Sequence, residues 1–345
     1  MSIADILLSI LWLALFVYAI SGGADFGAGM LELFATGESG ARQTALIDES
    51  IGPVWESNHV WLIFLLVVFF TAFPPAFAAI NVVLFIPLLL AVIGIVLRGS
   101  SFVFKTHGII RRSRNVRILS RIFSVGSAIT PFFLALTGAA IASGVIVIHN
   151  QSQVVTNTGS YWLTPFTLTV GAMALCLCVT ISAIYLTVEA TSRGETELAE
   201  AFRRRGLVAG ALTAAFGLLG LILSPSEAPA LWHGLLDKAI PIVIVTMLVG
   251  VAAAATLWFR RYGWARILIV AETAFLLLSW GVSQYPYIIP PDVTAANASS
   301  PLATQQFLLV GIIIALIIVI PSLWYLFYVF KLKKVETEVA QSTVE

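Results

Sequence analysis

The stretch TQQFLLVGIIIALIIVIPSLWYLFYVF, residues 304–330, contains no Asp, Glu, Lys or Arg. An α-helix needs about 20 predominantly apolar residues to cross the hydrocarbon core of a bilayer. Residues 304–330 meet that requirement, and eight further stretches have the same apolar character. They are residues 3–23, 56–77, 80–103, 120–147, 161–189, 206–224, 235–258 and 265–284. The sequence therefore predicts an all-α polytopic membrane protein with about nine transmembrane helices.

The composition of the whole chain argues against a soluble globular protein. Of the 345 residues, 59% are hydrophobic and 11% are charged, and the mean hydropathy is +0.98. Soluble domains carry about 25% charged residues, whereas an apolar exterior is the stable one in lipid. The first apolar run lacks a basic start, so we expect a retained helix rather than a cleaved signal peptide.

The basic residues fall almost entirely on one side of the predicted membrane. Eighteen of the nineteen lie in the first loop, in the loops after the third, fifth and seventh spans, and in the tail; Lys238 alone lies on the other side. The eighteen are Arg42, Arg98, Lys105, Arg111, Arg112, Arg114, Arg117, Arg121, Arg193, Arg203, Arg204, Arg205, Arg260, Arg261, Arg266, Lys331, Lys333 and Lys334. Because Lys and Arg are enriched in cytoplasmic loops, the N-terminus is predicted outside and the C-terminus in the cytoplasm.

The chain is predicted to form one transmembrane domain, residues 1–330, followed by a cytoplasmic tail, residues 331–345. The first span ends in YAISGGAD at residues 18–25 and the fifth in YLTVE at residues 185–189, so each ends on an acid near the cytoplasmic face. This similarity favours an internal repeat, with two four-helix bundles and a ninth, peripheral helix. The corresponding segments are residues 1–150, 155–285 and 304–330.

The densest polar site is GPVWESNHVW, residues 52–61, which enters the second span from the cytoplasmic side. Glu56 and His59 are three residues apart and share a helix face, beside Trp55 and Asn58. A buried carboxylate and imidazole can pass protons. The alternative is a hydrogen-bonded pair at a helix start, with the Trp residues as interface anchors.

A second polar site is GGADFGAG, residues 22–29. Its four glycines, which include Gly23 and Gly27, let helices approach closely or let the chain break. Asp25 lies among them near the cytoplasmic interface, where it is either a functional acid or a helix cap. The pattern is not a dinucleotide fingerprint, because no strand precedes it.

The remaining acids and the thiols give weaker signals. Glu189 and Glu272 lie in or near spans, and a partnered structural acid is the favoured interpretation of both. Cys176 and Cys178 point in different directions on a helix, which suits neither a disulfide nor a metal site.

Histidine is too scarce to suggest a haem protein. The four histidines do not share a membrane depth and face in a way that would hold a haem between helices. We therefore assign no catalytic residue, metal ligand or cofactor ligand to this chain.

Two motifs resemble a known family. GADFGAGML at residues 23–31 and GPVWESNHVWLI at residues 52–63 are similar to the two N-terminal signatures of subunit II of cytochrome bd-type quinol oxidases, in the same order and spacing. FPPAFA at residues 73–78 resembles the segment that follows helix 2 in that family. The first 80 residues carry the specific resemblance, and the rest of the chain agrees in length and topology.

The resemblance implies one subunit of a heterodimeric terminal oxidase in a prokaryotic cytoplasmic (inner) membrane. The complex would oxidise quinol and reduce dioxygen to water. Haem b, accompanied in most members by haem d, would be held by the partner, subunit I. A quinone bound in the complex and small accessory membrane subunits are left open, and no nucleic acid is expected.

The resemblance also implies roles for residues. Glu56 occupies an acidic position implicated in proton uptake, although some members have Asp there, and His59 stands where some have Gln. The proton-path candidates are Asp25, Glu56 and His59; the oxygen-route candidate is Trp61; Trp55, Asn58, Gly23 and Gly27 support the motifs. Glu189 and Glu272 are weaker candidates.

The sequence is also compatible with two other functions. A stand-alone secondary transporter also has weak repeats and intramembrane acids, although its polar residues would lie near the midplane. A scaffold that only stabilises the haem-bearing partner is the third hypothesis.

Overall fold

A computed structural model of the chain describes residues 2–106, 113–144, 146–149, 153–155 and 162–327. The side chains within these ranges are described except at residues 51–57, 106, 113–116, 147–149, 153–155, 323 and 326–327. Helices dominate, which confirms the predicted all-α class.

The helices and strands of the described residues follow in chain order. They are α1 (Ile3–Glu32), α2 (Gly40–Ala72), α3 (Pro74–Val83), α4 (Phe85–Thr106), α5 (Ser113–Ala142), β1 (Val147–His149), β2 (Gln153–Val155), α6 (Pro165–Ser192), α7 (Thr196–Glu227), α8 (Pro229–Gly234), a π-helical turn (Leu235–Ala239), α9 (Ile240–Trp258), α10 (Tyr262–Gln284), β3 (Tyr287–Ile289), β4 (Val293–Thr294) and α11 (Leu302–Phe327). β1 pairs with β2 and β3 with β4, both antiparallel. Among the described residues, eight helices are long and apolar enough to cross a membrane, and a bent helix pair makes nine if it counts as one span.

The bent pair corrects the predicted second span, residues 56–77. Residues Asn58–Ala72 of α2 and all of α3 meet at an angle of 116°. Phe73 lies between them outside the helical region, at φ −134° and ψ 59°, and Pro74 begins α3. Proline has no N–H to continue the helical ladder and disfavours the α conformation in the residue before it. The second span therefore ends at Ala72, and the next long helix begins at Phe85.

Several helices extend beyond the predicted apolar stretches. α1 continues through Glu32, so the four glycines at residues 22–29 lie inside a continuous helix and do not break the chain. α1 begins with a capping box, in which Ser2 Oγ accepts from the Asp5 N–H at 3.2 Å and Asp5 Oδ2 accepts from the Ser2 N–H at 2.8 Å. Helix ends are set by such local groups, whereas the hydrocarbon thickness sets only the length of the apolar part.

Helices adjacent in the chain pack as pairs, namely α1 with α2, α4 with α5, α6 with α7 and α9 with α10. α1 also packs against α5 and α6, which makes it central, while α11 packs on α2 and α1. The outer faces are apolar; Leu248 and Val251 of α9 are 63% and 69% exposed. Such a surface is stable in contact with lipid or another membrane subunit. The division into two pseudo-repeats and a peripheral helix stays a prediction.

Candidate functional site

A buried ion pair joins α1 to α4. Arg98 Nη2 pairs with Asp25 Oδ1, and each residue is 1% exposed. Asn58 of α2 donates a hydrogen bond from Nδ2 to Asp25 Oδ2, and Arg98 Nε donates one to Ser127 Oγ of α5 at 2.9 Å. We refer to Asp25, Asn58, Arg98 and Ser127 as the Arg98 centre. Four helices meet at this centre, so its side chains fix how they are arranged.

The position of Arg98 differs from the sequence interpretation, which counted it among the basic residues of the loop after the third span. The structure places Arg98 inside α4, where it is the largest of the fully buried side chains. Residue 98 also falls within the predicted apolar stretch 80–103, and this position could have indicated from the sequence that Arg98 is buried. An ionisable group inside a span is costly unless a partner or a polar cavity receives it.

Two aromatic rings surround the buried guanidinium. The Arg98 Cζ lies 4.9 Å from the centroid of the Phe26 ring and 5.0 Å from that of Phe123. A cation over an aromatic face is stabilised by about 2 kcal/mol when it is desolvated. The rings therefore contribute to holding a positive charge away from water.

A second ion pair repeats the geometry of the first. Lys105 Nζ of α4 lies 2.6 Å from Glu32 Oε1 of α1. Glu32 follows Asp25 by seven residues, and Lys105 follows Arg98 by seven, so both pairs lie on the same helix faces about 10 Å apart. Tyr18 precedes Asp25 by the same interval. The heptad spacing of residues 18, 25 and 32 was a sequence signal for this arrangement.

The ion pair of Lys105 and Glu32 reaches the surface of the chain. Lys105 Nζ also lies 2.8 Å from Asp48 Oδ1 of α2; the Lys105 side chain is 8% exposed and the Asp48 side chain 27% exposed. We call Asp48, Lys105, Glu32, the Arg98 centre and Tyr18 the polar line. It leads from the end of the bundle that carries the basic loops into the interior.

Several buried polar atoms along the polar line have no hydrogen-bond partner within the described part of the chain. They are Tyr18 Oη, Glu32 Oε2 and Asn58 Oδ1. A buried polar atom left unsatisfied costs about 1–3 kcal/mol, and internal water commonly satisfies such atoms in proteins. The interior near the Arg98 centre is therefore suited to hydration.

The glycines of α1 lie where this helix touches α5 and α6. A methyl group at Gly27 would lie 1.9 Å from the backbone oxygen of Cys178, and one at Gly29 would lie 2.2 Å from Ser127 Oγ. One at Gly23 would lie 3.1 Å from Ile181 Cδ1. The motif at residues 22–29 thus allows close helix packing, and Gly27 does so without room for any side chain.

The other motif residues of α2 are only partly described. His59 and Trp61 are half-buried, and the Trp61 ring packs against Phe64 with centroids 6.0 Å apart. The side chains of Trp55 and Glu56 lie outside the described residues. Of the predicted site residues, the structure thus brings Asp25 and Asn58 into direct contact.

Glu189 belongs to a different cluster. Its Oε1 lies 2.8 Å from Arg193 Nη2, and Arg193 Nη1 lies 2.6 Å from Glu49 Oε2. These side chains are between 33% and 50% exposed, so the pairs are surface ion pairs, which contribute little to stability. Glu189 is not part of the polar line.

Glu272 lies in α10 and faces α9. A methyl group at Gly250 of α9 would lie 2.7 Å from Glu272 Oε1. Within the described residues, no group donates a hydrogen bond to this half-buried carboxyl group. A carboxylate in the apolar part of a membrane protein without a partner is destabilising.

We expect Glu272→Met to raise the thermal midpoint of the detergent-solubilised protein, because it removes an unsatisfied polar group worth about 1–3 kcal/mol. Gly250→Ala is the matched control, since it crowds the same carboxyl group while keeping it. A lower midpoint for Glu272→Met would instead show that another subunit supplies a donor to Glu272.

Metal-binding groups are sparse. Within the ranges that the structure describes, no three or more His, Cys, Asp or Glu side chains are grouped so as to hold a metal ion. Cys176 and Cys178 are free thiols. Of the histidines, His59 of α2 and His233 of α8 have described side chains, and His233 lines a cavity at the end of α8.

Comparisons with known proteins agree with this architecture over nearly the whole chain. The sequence model of the family described as cytochrome bd terminal oxidase subunit II matches residues 3–330. A candidate cytochrome bd menaquinol oxidase subunit II of Bacillus subtilis is 24% identical over 95% of each chain. The cytochrome bd-I ubiquinol oxidase subunit 2 of Escherichia coli is 24% identical over 93% of each. The structure of bd oxidase from Geobacillus thermodenitrificans matches with a TM-score of 0.81 and 26% identity, covering 96% of this chain and 99% of that one.

Proposed function

The chain belongs to the cytochrome bd terminal oxidase subunit II family, and from that premise we propose that its polar line admits protons toward the partner subunit. Subunit II works with a subunit I in a quinol oxidase complex of the bacterial respiratory membrane, and the complex is an oxidoreductase. A stand-alone secondary transporter is not supported, because the family and the relatives are oxidase subunits.

The substrates and cofactors of the complex are part of the proposal. The names of the relatives, which include menaquinol and ubiquinol oxidases, support a quinol as electron donor and dioxygen as acceptor. We assign haem b, with or without haem d, to subunit I, as the resemblance of the two N-terminal motifs to this family implies. The haems would supply the electron transfer and oxygen chemistry. This chain would bind subunit I and position groups for proton entry.

The proposed orientation places the N-terminus outside and the C-terminus in the cytoplasm. It rests on the basic residues, of which all but Lys238 fall on one side of the membrane or in α4 near that side. Lys and Arg mark the cytoplasmic side. Asp48 and Lys105 then lie at the cytoplasmic end of the polar line.

The observation that carries the proposal is the polar line itself. Asp48, Lys105 and Glu32 connect within hydrogen-bond distance, and the Arg98 centre follows two helical turns deeper. Reduction of dioxygen to water consumes protons, and a short series of acids and waters can supply them without an open pore. Glu56 and His59 lie next to Asn58 on α2, and we propose that they receive protons from the Arg98 centre. Trp61 is proposed to border an oxygen route.

The experiment replaces Glu56 by Gln in the assembled complex. If Glu56 carries protons, Glu56→Gln lowers quinol-dependent oxygen uptake by about tenfold or more, because a positioned acid or base typically contributes at least that factor. The reduced-minus-oxidised haem spectrum should stay unchanged, which shows that the complex has assembled.

Glu49→Gln is the matched control. Glu49 lies on the same helix, and its carboxylate binds Arg193 at the surface, so the same chemical change is made outside the polar line. Equal turnover in wild type, Glu56→Gln and Glu49→Gln would remove Glu56 from the proton route and favour a scaffolding role for this chain.

A further inference from the structure

A cavity of about 290 Å³ lies at the end of the bundle opposite the basic loops. Its volume is just below the range of small-ligand sites, about 300–1,000 Å³. It is formed where α5, α8 and α10 end and α9 approaches its start, beside the β3–β4 hairpin. The lining residues are Ala142, Ala230, Leu231, His233, Gly234, Asp237, Lys238, Ser283, Gln284, Tyr287, Pro290 and Pro291.

The π-helical turn Leu235–Ala239 forms one wall of this cavity. The turn is closed by i to i+5 hydrogen bonds. Three ionisable side chains line the cavity here, His233 from α8 and Asp237 and Lys238 from the turn. Turns of this kind are frequently found at functional sites.

On the opposite wall, the polar groups of Gln284 already have hydrogen-bond partners within the chain. Gln284 accepts from Trp280 Nε1 at 2.7 Å and donates to the backbone oxygen of Ile288 at 2.9 Å. At Gly234 the helices touch directly, since a methyl group there would lie 2.0 Å from the backbone oxygen of Ser283. Gln284 and Gly234 therefore define the shape of the cavity on this side and do not offer free polar groups to a ligand.

The ionisable wall does offer free groups. Lys238 Nζ donates one hydrogen bond, to the backbone oxygen of Tyr285 at 2.8 Å, which leaves two N–H groups. Among the described residues, nothing hydrogen-bonds to the His233 imidazole or the Asp237 carboxylate. A ligand that complements all three groups needs an anionic part for Lys238 and His233 and a cationic part for Asp237.

We propose that this cavity binds the phosphoethanolamine headgroup of a membrane phospholipid, with the phosphate at Lys238 and His233 and the ammonium at Asp237. The surroundings suit a lipid, because Leu236, Ile240, Tyr285 and Tyr287 are exposed beside the cavity. Tyrosine is enriched at the depth of the lipid headgroups. The site also gives a role to Lys238, the one basic residue that the charge distribution places on this side of the membrane.

The test measures lipid binding to the delipidated complex by native mass spectrometry and by the rise in thermal midpoint when lipid is returned. The probes are dioleoyl phosphatidylethanolamine and dioleoyl phosphatidylglycerol, which share the phosphate but differ in the amine. Wild type should bind the first several-fold more tightly. Lys238→Gln should weaken both by about tenfold, as expected for the loss of a charge-assisted hydrogen bond.

Asp237→Asn tests the amine contact separately. It should reduce affinity for phosphatidylethanolamine by about tenfold and leave phosphatidylglycerol unaffected or bound more tightly, because only the ammonium contact is lost. Arg204→Gln is the control, since it removes an exposed positive charge at the other end of the bundle.

Three results would each overturn the assignment. They are equal binding of the two lipids to wild type, wild-type binding in Lys238→Gln and Asp237→Asn, and binding of water-soluble glycerophosphoethanolamine as tight as that of the lipid. The last result would place a soluble ligand rather than a phospholipid in the cavity.

Discussion

Gly27→Ala is expected to abolish accumulation of the assembled complex. The added methyl group would lie 1.9 Å from the backbone oxygen of Cys178, 2.5 Å from its carbonyl carbon and 2.7 Å from Ser182 Cβ. Two of these three atoms belong to the backbone of α6, so no side-chain rotation relieves the overlap, and α1 must move away from α6. Overpacking costs about 1–3 kcal/mol when side chains can adjust, and we expect about 4 kcal/mol or more here.

The measurement is the yield of the haem-bearing complex from membranes, with Gly311→Ala as the control. Gly311 lies in α11 with no atom within 4 Å of the added methyl group. Replacing a helical glycine by alanine at such a position is neutral or stabilises the helix by up to about 1 kcal/mol. Normal yield of Gly27→Ala would show that α1 and α6 do not approach each other as closely as the structure has them.

The membrane fold was predictable because lipid imposes a simple requirement on sequence. A run such as residues 304–330 must satisfy its backbone polar groups internally, and a helix is the available way to do so. The bend at Phe73 was harder to predict, because the apolar pattern continues through Pro74 and hydropathy does not detect the missing N–H group. The end of α1 and the start of α7 lie well outside the predicted apolar stretches, because a helix can continue in polar sequence beyond the membrane.

The site was predictable only in part. The motifs identified Asp25 and Asn58, which touch in the structure. Arg98 could not be recognised as a site residue, because its positive charge matches that of the basic loop that follows. It was therefore counted with the loop residues, although its side chain is buried. Pairing between α1 and α4 depends on the tertiary arrangement, and no periodicity within one helix reveals its partner on another.

Arg98→Gln alone is expected to destabilise the complex by about 3–5 kcal/mol, the usual consequence of removing one partner of a buried ion pair. The Asp25 carboxylate would remain buried, with Asn58 as its remaining side-chain partner in the Arg98 centre. Asp25→Asn should have a similar effect, because it leaves the guanidinium between the Phe26 and Phe123 rings without its counter-charge. Thermal unfolding of the purified complex measures both.

The double variant Asp25→Asn with Arg98→Gln should recover most of the lost stability. It removes both charges while keeping amide groups that can hydrogen-bond to each other, and neutral replacement of a buried pair is often neutral or stabilising. Lys105→Gln with Glu32→Gln makes the corresponding exchange two turns away, where Asp48 also loses its lysine partner. It tests how far the second ion pair holds α1 to α4. Failure of the Asp25 and Arg98 double variant to recover would mean that charge itself, rather than its balance, holds the four helices together.

Turnover of the recovered double variant separates the structural role of the Arg98 centre from the role in proton entry that we propose for it. Stability responds to whether the charges are balanced, whereas proton transfer requires a group that can gain and lose a proton, and an amide cannot do so. If Asp25 lies on the proton route, the double variant assembles with its haem spectrum intact and consumes oxygen about tenfold more slowly. If the Arg98 centre only positions the helices, oxygen uptake returns together with stability, and Asp25 is removed from the proposed proton route.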